Sequence, residues 1–140
     1  MDRDEALARL AGARVARLST VRPDGGPHVV PITFAVVGNH IVTAVDHKPK
    51  AHRDLQRLAN IEANRFASVL ADHYHEDWER LWWVRVDGPA SIHQEGEVYE
   101  DGIKALVDKY SQYSQRAPDG PMIAISQDRV IAWASSAGLA

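Results

Sequence analysis

Apolar and polar residues alternate with a period of two along much of this chain and change to helical spacing in three places. The first helical stretch runs from Asp2 to Gly12. Asp2 is placed to cap it with Glu5 three residues on, Leu7 and Leu10 share a face, and Gly12 ends it. Arg14 to Val21 then alternates as a strand with one buried face. Pro23-Asp24-Gly25-Gly26 predicts a turn, because proline presets one dihedral and glycine supplies a positive φ. The chain resumes as Pro27 to Val37, turns at Gly38-Asn39 and returns as His40 to Asp46. These three runs predict an antiparallel meander.

Helical spacing returns at Ala51 to Asn60, where Leu55, Leu58 and Ala59 fall on one face and Arg53, Asp54 and Arg57 elsewhere, as in a crossover helix. Arg65 to Asp72 and the longer Leu81 to His93 read as strands. Gly88-Pro89 inside the latter marks a bend, bulge or barrel corner, since proline is excluded from a regular central ladder. Glu97 to Tyr113 predicts a third helix, with Val98, Ile103, Ala105, Leu106 and Tyr110 available for packing. After a Pro118-Asp119-Gly120-Pro121 loop, Met122 to Ser126 and Val130 to Ser135 end the chain as one strand or a bent pair. About six strands and three helices, with successive strands joined by hairpins, predict an α+β fold whose mostly antiparallel sheet curls into a barrel.

Composition narrows the class. The 140 residues suit one domain, 1–140, and 45% hydrophobic with 25% charged residues is a soluble globular balance. There is no cysteine, which excludes disulfides, thiolate chemistry and cysteine-based metal sites. The start, Met1-Asp2-Arg3-Asp4-Glu5, lacks the apolar core of a signal peptide, and no apolar run approaches the ~20 residues of a membrane helix. A cytoplasmic protein without membrane partners is therefore expected. A net charge of −3 argues against general nucleic-acid binding, which needs a basic excess.

Candidate chemistry sits in three places. The basic stretch His47-Lys48-Pro49-Lys50-Ala51-His52-Arg53 lies just before and within the first turn of the crossover helix. Cations there oppose the helix dipole unless an anion joins them, and unpaired N–H groups at a helix start suit a phosphate. A solvated basic loop explains the same charges. Asp72-His73-Tyr74-His75-Glu76-Asp77-Trp78 places two histidines on one strand face beside carboxylates, but the carboxylates fall in a loop and no third histidine is near. A polar loop is the better reading, and no metal is expected. Trp78, Trp82 and Trp83 cluster. Strand neighbours point to opposite faces, so Trp82 and Trp83 cannot line one pocket, and Trp133 is equally open between core and interface. Ser19, Thr20, Ser135 and Ser136 have no nucleophile-elbow setting, and no phosphate-loop or dinucleotide glycine motif occurs. That absence suits a protein whose cofactor carries the chemistry.

Three segments in order resemble the pyridoxamine 5′-phosphate oxidase-like split-barrel superfamily: Leu18-Ser19-Thr20-Val21-Arg22-Pro23-Asp24-Gly25-Gly26-Pro27-His28-Val29-Val30-Pro31, Lys48-Pro49-Lys50, and Arg85-Val86-Asp87-Gly88-Pro89-Ala90. Asp46-His47-Lys48-Pro49-Lys50 and the run from Asp72 to Trp78 with Leu81-Trp82-Trp83-Val84-Arg85-Val86 resemble an actinobacterial subgroup dependent on the deazaflavin coenzyme F420. The resemblance implies a six-stranded, FMN-binding type of split β-barrel. It also implies a homodimer with a cofactor site at each end of the subunit interface.

On the same ground, Lys48, Lys50 and Arg53, with His52 competing for one role, would hold the cofactor phosphate. His28 to Pro31 would lie under the ring system, with Ser19 and Thr20 nearby. Trp78 is a further candidate for the cofactor site, and His28 a weak candidate proton donor. The final segment from Trp133 to Ala140 lacks the arginine and histidine that oxidases of pyridoxamine phosphate use, so vitamin B6 oxidation is not the expected activity. The leading expectation is hydride transfer between reduced coenzyme F420 and a small conjugated or quinone-like acceptor. FMN in the same pocket, or a carrier that binds F420 without turnover, are the alternatives.

Overall fold

The computed structural model describes residues 1–45 and 52–135, the side chains of 52–55 excepted. Helix α1 (Arg3–Gly12) begins as its sequence requires: the Asp2 carboxylate accepts from the Glu5 N–H at 2.8 Å. Its Ala6 and Leu10 are buried. The chain continues as β1 (Ala16–Val21), β2 (Pro27–Ile32), β3 (Ala35–Val37), β4 (His40–Ala44), α2 (His52–Ala63) and β5 (Phe66–His73). A 3₁₀ turn (Trp78–Arg80) leads into β6 (Trp82–His93), followed by α3 (Glu97–Lys109), α4 (Ser111–Gln115), β7 (Met122–Ser126) and β8 (Arg129–Ala134). The strands form one antiparallel sheet ordered β2-β1-β5-β6-β7-β4-β3, with β8 on β6. The sheet is curled into a half-barrel; among the described residues no ladder joins β2 to β3.

The expected α+β split-barrel architecture is present, but with eight strands among the described residues rather than six. Two predicted runs are bent. Pro27 to Val37 breaks between Ile32 and Ala35, where the buried Phe34 gives its backbone to a tyrosine hydroxyl instead of a neighbouring strand. The last run breaks at Gln127-Asp128, so β7 pairs with the second half of β6 and β8 with the first. Asp87 faces Arg129 and Ala90 faces Ile125, so four steps on one strand oppose three on the other. That is a bulge, and it lies beside Gly88-Pro89, the predicted corner. Glycine is required there, because a Cβ on Gly88 would run into the Ser126 carbonyl oxygen. Strand β6 thereby belongs to both halves of the sheet.

The third predicted helix is two. Tyr110 is extended (φ −117°, ψ 122°) between α3 and α4. Its buried hydroxyl accepts from the Phe34 N–H at 3.1 Å and lies 2.9 Å from the Arg14 carbonyl and 3.2 Å from that of Phe34. Three chain segments are tied at one atom. This bond set outweighs the continuity of the helix.

The core has two parts, sorted by strand parity. Ile123 and Ile125 of β7 point inward with Leu18, Val69, Val84 and Val86, under α1 and the Leu58 and Ile61 of α2. Met122 and Ala124 point outward with Val42 and Ala44 against Leu106 and Tyr110. The β3-β4-β7 half is thus covered by α3 on its outer side, whereas among the described residues no helix packs on the outer face of β2-β1-β5-β6.

Candidate functional site

The uncovered face is built from cross-strand rows. Ser19 opposes Val29 on β2 and Ser68 on β5, and Ser68 opposes Asp87 on β6. One step along, Arg17 opposes Pro31 and Leu70, and Leu70 opposes Arg85. Side chains opposite one another share a face, so these residues form a single surface. It is hollowed into two adjoining cavities of about 410 Å³ each. Arg17, Ser19, Val29, Ser68 and Asp87 line one, Asp72 and Trp83 line the other, and Leu70 and Arg85 are common to both.

A polar network sets the floor of this trough. Arg85 donates from Nε to Asp87 Oδ1 at 2.9 Å and from Nη2 to Oδ2 at 3.1 Å, while Ser68 Oγ donates to Oδ1 at 2.7 Å. Burial would raise the Asp87 pKa, but the hydrogen bonds from Arg85 and Ser68 and the charges of Arg85 and Arg129 outweigh it and hold the carboxyl below its ordinary value. Asp87 therefore stays a carboxylate and orients Arg85 rather than giving up a proton. The guanidinium fork carries five N–H groups, so it keeps donors for a ligand. Around the floor the face is apolar and open: Val29 is 60% exposed, Phe66 57%, Trp133 45% and Leu70 36%.

The inner side of the same strand pair has a different chemistry. Thr20 and Asn60 are buried, Asn60 Nδ2 donating to Thr20 Oγ1 at 3.0 Å and Gln56 Nε2 donating to Asn60 Oδ1 at 2.7 Å. This chain of bonds docks α2 on β1. His28 faces Thr20 across the ladder, and its Nδ1 is buried with no hydrogen-bond partner.

The residues expected at the site are divided by this geometry. Ser19 and Pro31 lie on the trough face, whereas Thr20 and His28 lie on the inner face. Trp78, 69% exposed, stands in the β5–β6 hairpin. That hairpin begins beyond His73, five residues along β5 from the level of Ser19, or roughly 16 Å at strand spacing. One chain does not bring Trp78 to the others. Lys48 and Lys50 lie outside the described residues; His52 and Arg53 open α2, with their side chains likewise outside.

Trp82 and Trp83 do face opposite ways, Trp82 against the inner core and Trp83 into the trough. Among the described residues no group of three acidic or histidine side chains is placed to hold a metal. His75 Nδ1 accepts from the Asp77 N–H and Asp77 caps the 3₁₀ turn, so both shape the loop. Of Trp82 and Trp83, one was expected to fill the core and the other to face a ligand or a second subunit; Arg17, Ser68, Leu70, Arg85 and Asp87 were not anticipated as site residues. The two-residue spacing of Arg17 and Ser19, of Ser68 and Leu70, and of Arg85 and Asp87 is the signal by which each pair shares a strand face.

Residues 3–134 match the model of a family described as pyridoxamine 5′-phosphate oxidase. The chain belongs to that family. Solved structures of this oxidase family's fold resemble it over nearly its whole length. A conserved hypothetical protein, Rv2991, from Mycobacterium tuberculosis superposes with a TM-score of 0.79 at 20% identity, covering 98% of this chain and 87% of that one. An FAD-binding protein from Mesorhizobium loti gives 0.71 at 20% identity, with 94% of both chains covered. HutZ, a haem storage protein from Vibrio cholerae, gives 0.72 at 16% identity, with 99% of both covered. No curated protein sequence matches the chain significantly. At these identities the likeness establishes the fold, and the family's split-barrel architecture agrees with the curled sheet. Among the described residues no helix is long and apolar enough to cross a membrane.

Proposed function

We propose that the chain is an oxidoreductase that binds a flavin-type cofactor, the deazaflavin coenzyme F420, in the trough on the β2-β1-β5-β6 face. The observation that carries this reading is the trough itself. Its volume is in the range of small-molecule sites, its walls are Val29, Leu70 and Trp83, and Arg17 and Arg85 stand beside them. A flat, partly anionic ring system is suited by apolar walls and guanidinium donors, of which that of Arg85 is fixed by Asp87. The start of α2 at His52, immediately after Lys48 and Lys50, supports a phosphate anchor at that helix end.

When bound, the reduced deazaflavin supplies a hydride for a small conjugated or quinone-like acceptor. The protein's own part is to orient and to exclude water. Arg85, fixed by Asp87 and Ser68, would donate hydrogen bonds to the cofactor, and Leu70 and Trp83 would hold it as apolar walls. The pocket also accepts FMN on the same grounds. Two of the structural relatives are described as binding FAD or storing haem, so those ligands belong in the same test.

The same face exposes Val29, Phe66, Leu70 and Trp133 together, and apolar side chains grouped in this way suit an interaction surface. It is the surface on which a second copy would pack, placing a site at each end of a two-fold interface.

The test is titration of apoprotein with F420, FMN, FAD and haem, following quenching of tryptophan emission. F420 binding in the micromolar range is expected, with the quenching reduced in a Trp83→Phe signal control and the affinity weakened about tenfold or more by Lys50→Ala. Tight FMN or haem binding with no response to F420 refutes the deazaflavin assignment. Binding without turnover across quinones, tetrapyrroles and nitro compounds makes the protein a carrier.

A further inference from the structure

The opposite end of the sheet from α2 holds a second groove, which meets the trough only at Asp72. The last turn of α1 crosses the place where β1 begins and β5 and β6 meet their hairpin. Between them is a cleft of about 480 Å³ whose lining includes Arg9, Arg14, His73 and Trp82. Trp82 forms an aromatic wall: the His73 ring stacks on it at 6.1 Å with a 15° interplanar angle, and the Arg9 guanidinium lies 5.7 Å from its centroid. Arg9 is paired with Glu5 at 3.3 Å.

Arg14 is held differently. Its guanidinium lies 4.7 Å over the Tyr110 ring and donates from Nη2 to the Lys109 carbonyl at 3.0 Å. That bond occupies one of five N–H groups, so Arg14 is fixed in place with donors to spare. Behind it, the Lys109 amine sits 3.8 Å over the Phe34 ring, buried and without a hydrogen-bond partner. Burial, and then the charge of Arg14, pull its pKa down to about 8. Two cations are thus held side by side with no carboxylate bonded to either among the described residues. Like charges so placed repel, and an anion at Arg14 relieves both. Asp72 is the one carboxylate among the lining residues.

We propose that this groove binds a small organic anion, its carboxylate or phosphate group on the spare N–H groups of Arg14 and its apolar body on Trp82 and the last turn of α1. Gly12 lies on that turn, and a Cβ added there meets nothing within 4 Å. Gly12 is among the groove's lining residues, so a larger side chain there takes up open space at the groove and leaves the core alone.

The apoprotein, free of any cofactor, is the material for the test, so the result does not depend on the trough. The Trp82 indole N–H and Gly12 amide are followed by NMR while phenyl phosphate, benzoate, inorganic phosphate or benzyl alcohol is added. Saturable shifts of both signals with phenyl phosphate or benzoate are expected, with inorganic phosphate about tenfold weaker and benzyl alcohol without effect. The stronger of the two aromatic ligands identifies the head group. Arg14→Gln should weaken binding about tenfold or more through loss of a charge-assisted contact. Gly12→Leu, which keeps every charge, should abolish it with the melting temperature unchanged. No saturation below about 10 mM for either aromatic anion, or undiminished binding in Gly12→Leu, overturns the proposal.

Discussion

Removing one oxygen atom, in Tyr110→Phe, should be among the most damaging conservative changes in this protein. The ring is retained, so no cavity opens, and Tyr110 is 7% exposed, so water does not replace the lost hydroxyl. The change strips the Phe34 N–H of its partner at 3.1 Å and takes the donor from the carbonyls of Arg14 and Phe34. A buried donor left unsatisfied costs about 1–3 kcal/mol, and the lost bond to a carbonyl about 1 more, for a total of about 2–4 kcal/mol. For a chain of this length that lowers the melting temperature by about 6–15 °C. Tyr113→Phe is the control. Its hydroxyl meets the exposed Thr33 at 3.0 Å, and its loss should shift melting by about 2 °C or less. Calorimetry or urea unfolding of both variants decides. If Tyr110→Phe melts no lower than Tyr113→Phe, the hydroxyl is not the latch that breaks α3 from α4, and the explanation of that break is wrong.

Two further outcomes follow from the same geometry. Gly88→Ala drives a methyl group into the Ser126 backbone at the bulge. It should destabilise by about 3 kcal/mol or more, read as a lower urea midpoint, whereas Gly12→Ala should be nearly neutral or slightly stabilising. Lys109, with its pKa lowered to about 8 by burial and by Arg14, loses its proton in the folded state before the unfolded chain does. Unfolding therefore takes up a proton between about pH 8 and 10.5, and stability should rise with pH through that window. Tyr110, whose pKa burial raises, gives the opposite slope only above about pH 10. Urea midpoints from about pH 7.5 to 9.5 should climb in the native protein and lie flat in Lys109→Met; equal slopes would contradict the assignment.

What could be read in the sequence is what depends on local periodicity. Strand runs, turns at Gly25 and Gly38, the Asp2 cap and the Gly88-Pro89 corner are all set by neighbours a few residues apart, and each is found where expected. The breaks at Thr33-Phe34 and Tyr110 were not legible, because they are imposed on each other by a hydroxyl that is remote in sequence. No window over either segment contains the partner. The candidate site divides in the same way. Ser19 and Pro31 fell on the trough face, but Thr20 and His28, one position out of phase, fell on the inner face. A motif read as a linear string hides parity. Arg85 and Asp87 were quoted only as part of a family motif, and only the ladder placing Ser68 and Leu70 opposite them shows a floor.

On the reading proposed for the trough, ring and second copy meet the same surface, and this makes them thermodynamically dependent. Leu70 is 36% and Phe66 57% exposed on a face whose centre holds the fixed Arg85. A ligand bound at the interface of two copies stabilises the dimer by the same free energy by which the dimer raises ligand affinity. Diluting the protein through its dimer dissociation range should therefore weaken cofactor binding, and saturating cofactor should move that range to lower protein concentration. Phe66→Glu, placing a charge in the apolar rim outside both cavities, should produce a monomer with weakened cofactor binding although Arg17, Leu70, Trp83 and Arg85 are unchanged. Light scattering and titration on the same samples measure both quantities. A monomeric Phe66→Glu protein with native affinity would separate the two surfaces and place the cofactor site wholly within one chain.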